Sequence, residues 1–267
     1  MSEQAIKKIL ITGANGFIGG SLMRYYQNHG QDTVGVDLIG NDDDIVEGDI
    51  SQPDTISQQL QECDVIIHTA ALVSNAMQDS DMWQVNVLAT RNLIQAAKEH
   101  KVRRFVQISS IVAYGNSAEG ELDETQPVHA DGGSYVLTKL ASEHVVLSEQ
   151  ANDDIEVVII RPGDAYGPGS RPWIIAPLEA IAKNQFMLPE KGEGFFRPIY
   201  IDDLVRGIAM ASKHPDAAGE IFNLSCEGYM FTKDYFTPHY QWLGKKRPLV
   251  VSTNLALKIS ALASKLA

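Results

Sequence analysis

The sequence predicts an α/β fold, a doubly wound parallel sheet with a small C-terminal lobe, and three observations predict it. Short β-rich apolar runs recur along the chain, stretches with helical spacing separate them, and a glycine-rich turn follows the first run directly. Strand and helix in alternation mean parallel strands with helices on both faces, because a parallel pair needs a crossover between its members.

Taken in order, "KKILIT" is the first strand, and "TGANGFIGGSL" turns it into a helix with Gly13, Gly16 and Gly19 at intervals of three. "DTVGVD" is the second strand and ends on Asp37; "DVIIHTA", "RRFVQISS" and "IEVVIIRP" supply further buried strands. The segment "DSDMWQVNVLATRNLIQAAKEH" predicts a helix whose buried face carries Trp83, Val87, Thr90, Leu93, Ile94 and Ala97, with Asp79 or Ser80 as its cap. In "SYVLTK", Tyr135 and Lys139 stand one above the other on a helix face, whether for chemistry or as neighbours in water. After "RPGDAYGPGSRPW", with four prolines from Pro162 to Pro177, the pattern loosens into turns and a second lobe begins. The expected layout is a cofactor domain over 1–166, completed by about 199–225, and a smaller substrate lobe over 167–198 and 226–267. "NLALKISALASKLA" puts Leu255, Ile259, Leu262 and Leu266 on one helical face and stops without a cap, so the expectation is a chain truncated at its C-terminus.

The chain has 267 residues, long enough to bury a sizeable core. Its 22 Lys and Arg against 34 Asp and Glu, a net charge of −12, argue against a nucleic-acid partner, since a phosphate backbone would be repelled. No apolar run reaches membrane-spanning length, and the N-terminus lacks the layout of a secretory signal. Cys63 and Cys226 lie far apart without partners at metal-binding spacing, so no disulfide framework and no metal site are expected. A cytoplasmic location follows as the default.

The glycine turn carries the first chemical signal. Glycine removes side chains that would block a close ligand, and a helix N-terminus presents free N–H groups and the positive end of its dipole, which suits a pyrophosphate. A glycine-rich turn without a ligand is the plainer alternative, and the spacing is one residue longer than the usual dinucleotide fingerprint. Asp37 favours the ligand, because a carboxylate ending the second strand can accept both hydroxyls of an adenosine ribose. Neither Asn15 nor Leu38 supplies the positive charge that a 2′-phosphate needs, so the expected cofactor is NAD rather than NADP.

In order along the chain, "TGANGFIGG", "GDI", "HTAA", "NVLATRNL", "ISSIVAYG", "YVLTK", "RPGDAYGPG", "RPIYIDDL" and "GEIFNLS" resemble the extended short-chain dehydrogenase/reductase family, from about Ile9 to about Thr232. That family includes nucleotide-sugar epimerases and dehydratases and 3β-hydroxysteroid dehydrogenases. The resemblance implies a Rossmann-like, NAD-dependent enzyme. It implies a cofactor site from Gly13, Asn15, Gly16, Phe17, Ile18, Gly19 and Asp37, with Asp49 at the adenine amino group and Ile50 contributing backbone. Ala70, Ala71, Asn86, Ser109 and Pro162 complete that site by the same resemblance, with a locally bonded helix residue as the alternative for Asn86. His68 reads as a core histidine with a satisfied ring.

The resemblance also implies the catalytic residues. Ser110 would bond the substrate oxygen, Tyr135 would act as acid and base, and Lys139 would hold the nicotinamide ribose. Lys139 and an oxidised nicotinamide would together lower the Tyr135 pKa toward neutrality.

The substrate is less determined. Family 4,6-dehydratases carry an Asp-Glu pair after the serine, where this chain has Ile111 and Val112, so that elimination is not expected. Nucleotide-sugar enzymes tend to have asparagine where Asp164 stands, and a carboxylate there would oppose a pyrophosphate. Arg197 matches the arginine that often grips a substrate phosphate, with Arg171 as a helper; the alternative for Arg197 is a salt bridge with Asp202 or Asp203. "HTAALVS" and "SSIVAYG" tilt the reading toward oxidation of a secondary alcohol on an apolar, hydroxysteroid-like molecule. A redox-neutral nucleotide-sugar epimerase with tightly bound NAD is the alternative, and a non-catalytic NAD sensor comes after it. By resemblance the helices at Trp83–Lys98 and Tyr135–Leu147 pair with their copies in a homodimer.

Overall fold

The computed structural model describes residues 6–40, 44–73, 79–115, 120–151 and 154–266, with side chains to Ile259. Strand β1 (Lys8–Thr12) leads through the glycine turn into α1 (Phe17–Asn28), then β2 (Asp32–Asp37), β3 (Ile45–Glu47) and a short α2 (Ser57–Leu60). Next come β4 (Val65–His68), α3 (Asp79–Trp83), a π-helical segment (Gln84–Ala89), α4 (Thr90–Glu99), β5 (Arg104–Ile108), α5 (Ser134–Gln150) and β6 (Glu156–Pro162). The chain then crosses into β7 (Asp164–Tyr166), α6 (Ala176–Ala182), β8 (Phe195–Phe196) and β9 (Pro198–Tyr200). It returns with α7 (Ile201–Lys213) and β10 (Ile221–Leu224), and ends in β11 (Met230–Phe231), α8 (Thr232–Trp242) and α9 (Thr253–Leu266).

Seven strands pair in parallel in the order β10-β6-β5-β4-β1-β2-β3. This is the doubly wound parallel sheet that the alternating pattern predicts. β4 and β5 are buried at every position, as sequences apolar on both faces require. One face packs Leu10, Ile66, Phe105, Val157 and Ile159 against Leu60, Ala89, Leu93, Ile94, Ala97 and Val146 from the helices. The pleat turns the alternate residues, Ile9, Ile11, Ile67, Val106 and Ile160, to the other face.

The chain divides into two compact units, Met1–Pro162 with Asp202–Leu224, and Gly163–Ile201 with Ser225–Ala267. The crossing falls at Pro162/Gly163, where β6 ends, rather than at 166/167. The second unit has its own core of Leu188, Phe196, Tyr235 and Phe236, with Tyr166, Trp173 and Phe186 packed against it. Two strand pairs, β7 with β9 and β8 with β11, complete it.

The helix expected over 79–100 contains an irregularity that its spacing does not show. Gln84–Ala89 is π-helical, so one turn holds an extra residue and the turn before it is rotated. Met82, five residues before Val87, is therefore buried in place of Trp83, which is 39% exposed, while Val87, Thr90, Leu93, Ile94 and Ala97 are buried as expected. Asp79, one of the two residues expected to cap this helix, is the first residue of α3 and accepts a hydrogen bond from the Ser134 hydroxyl at the start of α5. On α9, Leu255 and Ile259 are exposed, and the rest of its expected apolar face, Leu262 and Leu266, lies outside the described side chains.

His68 closes β4 as a buried junction. Its Nδ1 lies 2.6 Å from Thr12 Oγ1 and its Nε2 2.9 Å from Thr90 Oγ1, while Thr90 gives its own proton to Asn86 O. Thr90 must therefore accept, which places the ring proton on Nε2 and makes Nδ1 the acceptor for Thr12. Burial, helped by the Lys139 charge, pushes the imidazole down from 6.5 to about 3. An unfolded chain takes up this proton near pH 6.5 and the folded one refuses it until about 3. Stability from this group is complete above 6.5 and falls as pH drops through that window. Urea unfolding from pH 7 to 4.5 is expected to show a steeper loss in the native protein than in His68→Gln, which has no proton to gain.

Candidate active site

The carboxyl ends of the central strands bring the first group of residues together. Gly13 begins the turn after β1 with φ +69°, and a Cβ there would lie 2.7 Å from Ala70 N, so the backbones of the β1 and β4 loops touch. At Gly19 a Cβ would lie 2.1 Å from Gly13 O, so glycine lets α1 close on the turn. No side chain caps α1, which leaves the N–H groups of its first turn, around Phe17 and Ile18, facing the turn.

Asp37 is aimed at the same place. Its Oδ2 accepts from Asn15 N at 2.9 Å and its Oδ1 from Leu38 N at 2.8 Å, while Asn15 Nδ2 donates to Ile39 O at 2.7 Å. Gly48 N donates to Asp37 O, setting the Asp49 loop beside the end of β2, and Asp49 Oδ1 accepts from Ser51 N. Ile50 is buried in the core. Exposed amides at a helix start and a fixed carboxylate one strand away fit the pyrophosphate and adenosine ribose of a dinucleotide. The residues following Asp37, Leu38 and Ile39, are apolar and exposed, so neither supplies a cation for a 2′-phosphate.

Asn86 is committed elsewhere. Its Oδ1 accepts from Leu72 N, and its Nδ2 donates to Leu72 O and Thr138 Oγ1. It ties the loop after Ala70 and Ala71 to α5, a local role on the π-helical segment. Ser109 is likewise engaged, its hydroxyl donating to Glu143. Pro162 is buried where β6 pairs with Leu224 of β10.

Ser110, Tyr135 and Lys139 do come together. Ser110 caps the short turn Ile111–Tyr114, its Oγ accepting from Val112 N at 3.3 Å, and its hydroxyl stands near enough to Tyr135 to pull the phenol's pKa down. Lys139 lies one turn along α5, 5% exposed, with Nζ 5.9 Å from the Tyr135 ring centroid and donating to Ile108 O at 2.9 Å. The expected fall of the Tyr135 pKa is not present in the protein alone: burial raises it above 10, and the neighbouring Ser110 hydroxyl offsets only part. The reason lies in the lysine. Burial pushes Lys139 down to about 8, so its charge is gone before the phenol titrates.

The candidate substrate residues belong to the second unit. Asp164 Oδ2 accepts from Arg197 N at 3.1 Å, and burial pushes its carboxyl up to about 6, against the pull of Arg197. The Arg197 guanidinium lies 5.7 Å from the Phe195 ring and 5.4 Å from the Tyr229 ring, with Nη1 buried and unpartnered among the described residues. Asp203, one of the two alternatives for an Arg197 salt bridge, pairs with Arg206 on its own helix. Arg171 is 71% exposed and pairs with Glu179 at 3.7 Å, so it does not join Arg197. Among the described residues no cluster of His, Cys, Asp and Glu could hold a metal, and no helix is long and apolar enough to cross a membrane.

Residues 9–225 match the NAD dependent epimerase/dehydratase family. The chain belongs to that family. A UDP-glucose 4-epimerase of Vibrio cholerae is 30% identical over 236 residues, 82% of this chain and 70% of the relative. A sterol-4-alpha-carboxylate 3-dehydrogenase of Candida albicans is 27% identical over 267 residues, 91% of this chain and 74% of the relative. Among solved structures, a UDP-glucuronic acid 4-epimerase from Bacillus cereus, in complex with UDP-glucuronic acid and NAD, superposes with a TM-score of 0.81 at 26% identity, covering 92% of this chain and 85% of the other. As a member of the NAD-dependent epimerase/dehydratase family the protein is an enzyme that uses NAD.

Beneath the site, this epimerase/dehydratase family member buries residues that sequence reasoning missed. Glu143, 1% exposed, accepts from Arg161 Nε at 3.0 Å and Arg161 Nη2 at 2.7 Å. Arg161 Nη1 donates to Tyr114 Oη at 2.9 Å. A signal was available: Tyr135, Lys139 and Glu143 recur every four residues, and Arg161 is a charge inside an apolar strand. For the turn, Gly19→Ala forces a Cβ into Gly13 O and is expected to cost about 1–3 kcal/mol by overpacking, measured as a lowered urea midpoint.

Proposed function

We propose that this family member moves hydride between NAD and a secondary alcohol or ketone of a small molecule. In this reading Tyr135 is the acid and base, Lys139 the cation beside it, and Ser110 the donor to the substrate oxygen. The observation that carries it is the contact of Ser110 with Tyr135 one helical turn from a buried Lys139. A sensor that only binds NAD has no need of that combination.

The turn at Gly13, Asn15, Gly16, Phe17, Ile18 and Gly19 would hold the pyrophosphate, and Asp37 the adenosine ribose, with Asp49, Ile50, Ala70, Ala71 and Pro162 around them. Bound NAD supplies the hydride acceptor in oxidation and the donor in reduction. Ser110 Oγ accepts from Val112 N, which leaves its own proton to donate to the reacting oxygen. In reduction Tyr135 gives its proton to that oxygen as the alkoxide forms, and in oxidation the phenolate takes it back. Lys139, charged below about pH 8, lowers the energy of the phenolate by Coulomb attraction.

For the substrate we favour an apolar secondary alcohol of hydroxysteroid type. Asp164, partly ionised near neutral pH, sits beside Arg197 and opposes a dianionic pyrophosphate, and relatives include a 3 beta-hydroxysteroid dehydrogenase/isomerase of Mycobacterium tuberculosis, 26% identical over 263 residues. Nucleotide-sugar epimerisation is the second reading. Arg197, lying against the adjoining rings of Phe195 and Tyr229 with an unpartnered Nη1, favours it as an anion site, and Arg171 stands apart from it. The enzyme is further proposed to be a cytoplasmic homodimer, associating through the exposed Trp83 and Leu137 of the paired helices.

Tyr135→Phe is expected to retain NAD binding in a thermal-shift titration and to lose about 10²–10⁴-fold in turnover; wild-type turnover in this variant would refute the assignment. Given NAD and a panel of 3β-hydroxysteroids, simple secondary alcohols and UDP-sugars, net NADH absorbance is expected with the alcohols. Isomerised UDP-sugar without net NADH would decide for the second reading. Light scattering is expected to give the mass of a dimer, and a monomer at working concentration would remove that part.

A further inference from the structure

Lys139 brings a positive charge into a site with little to hold it there. The residue is 5% exposed, and among the described residues its ammonium donates to Ile108 O, a neutral acceptor from β5. The groups facing it can be named element by element. On α5 are Tyr135, neutral at working pH, and Glu143. From β4 comes His68, kept neutral by burial, with both ring nitrogens bonded inside the core. Ser109 and Ser110 follow β5 without charge, and Arg161 approaches from β6 with a charge of the same sign as the lysine. Glu143 is thus the one anion among the groups that face it.

Glu143 does not spend its charge on the lysine alone. Oε1 accepts from Ser109 Oγ and Arg161 Nε, and Oε2 from Arg161 Nη2, so the carboxylate is fixed on two sides. Arg161 is fixed in turn by Tyr114, through Nη1 to Oη and by a ring centroid 4.8 Å from its central carbon. The pair is buried, at 2% and 3% side-chain exposure, so water screens it weakly.

We propose that Glu143 is a positioning residue of the reaction: clamped by Arg161 and Ser109 one helical turn beyond Lys139, it keeps the lysine ammonium charged while Tyr135 exchanges its proton. The inference rests on the reading of Tyr135 and Lys139 as the proton-moving pair. Burial lowers Lys139 to about 8, and Glu143 is the group that holds it up. Arg161 pairs with Glu143 through two hydrogen bonds and so fixes where the carboxylate charge stands.

The test is the titration of the Lys139 amine in Glu143→Gln, which keeps the size and an acceptor oxygen but removes the charge. The signal of ¹³C,¹⁵N-labelled lysine, assigned with Lys139→Arg, is followed against pH in the whole protein. The alkaline limb of kcat/KM for ketone reduction is measured beside it, where Tyr135 starts protonated and loss of the lysine charge sets the fall. Glu143→Gln is expected to move both midpoints to lower pH by one unit or more, and Glu143→Asp, which keeps the charge, to restore them to within a few tenths. A lower kcat at every pH with both midpoints unmoved would overturn the proposal and leave Glu143 a structural residue. A shifted lysine signal with an unshifted activity limb would support the link between Glu143 and Lys139 while refuting the catalytic reading of the lysine. Should Glu143→Gln fail to fold, the double variant Glu143→Gln with Arg161→Gln, which leaves neither buried charge unpaired, carries the test: the Lys139 midpoint must still fall, and no change overturns the inference.

Discussion

Parallel strands cannot be joined by a tight turn, and that constraint arranges the rest of the molecule. Each strand of the sheet must be followed by a crossover before the next begins, so all the carboxyl ends collect on one edge. Gly13, Asp37, His68, Ser110 and Pro162 are spread over most of the chain and are brought to that edge by the same rule. Helix α5 then needs only one face to reach them, and on that face a four-residue period places Tyr135, Lys139 and Glu143 in line.

The sheet was legible because its central strands are buried on both sides and therefore read as apolar runs bounded by polar residues. β3, three residues long, was not, since so short a run carries no period. The π-helical turn was hidden for a related reason: hydrophobic spacing records which residues face the core on average, and one extra residue in a turn shifts Met82 for Trp83 without changing composition. Ser110, Tyr135 and Lys139 were legible as an ordered set of motifs. Arg171 was misplaced because a basic residue near a turn says nothing about direction; it points to solvent and Glu179. The Glu143–Arg161 pair went unread because sequence gives charge but not burial, and here burial is the whole of its significance.

Three charged side chains below the site, Lys139, Glu143 and Arg161, are each no more than 5% exposed. Such burial is unfavourable unless each group finds partners, and a buried ion pair is weak evidence for stability by itself. Here each has them: a carbonyl for the lysine, three hydrogen bonds for the glutamate, and both carboxylate oxygens and a phenol for the arginine. An apolar replacement of similar volume would pack there as well. What it would not supply is an electric field that favours a charge on the lysine and stays fixed while protons move.

The segment Gln84–Ala89 allows a different kind of conclusion. Asn86 reaches Leu72 and Thr138 because the helix there holds one residue more than an α-helical turn would. The information is thus a matter of count as much as of kind. Within this stretch descent is free to exchange many side chains, but gaining or losing a single codon would turn one end of the helix by about a quarter of a circle against the other. The tolerated variation should be substitution without change of length, a rule of inheritance written in the geometry of one widened turn.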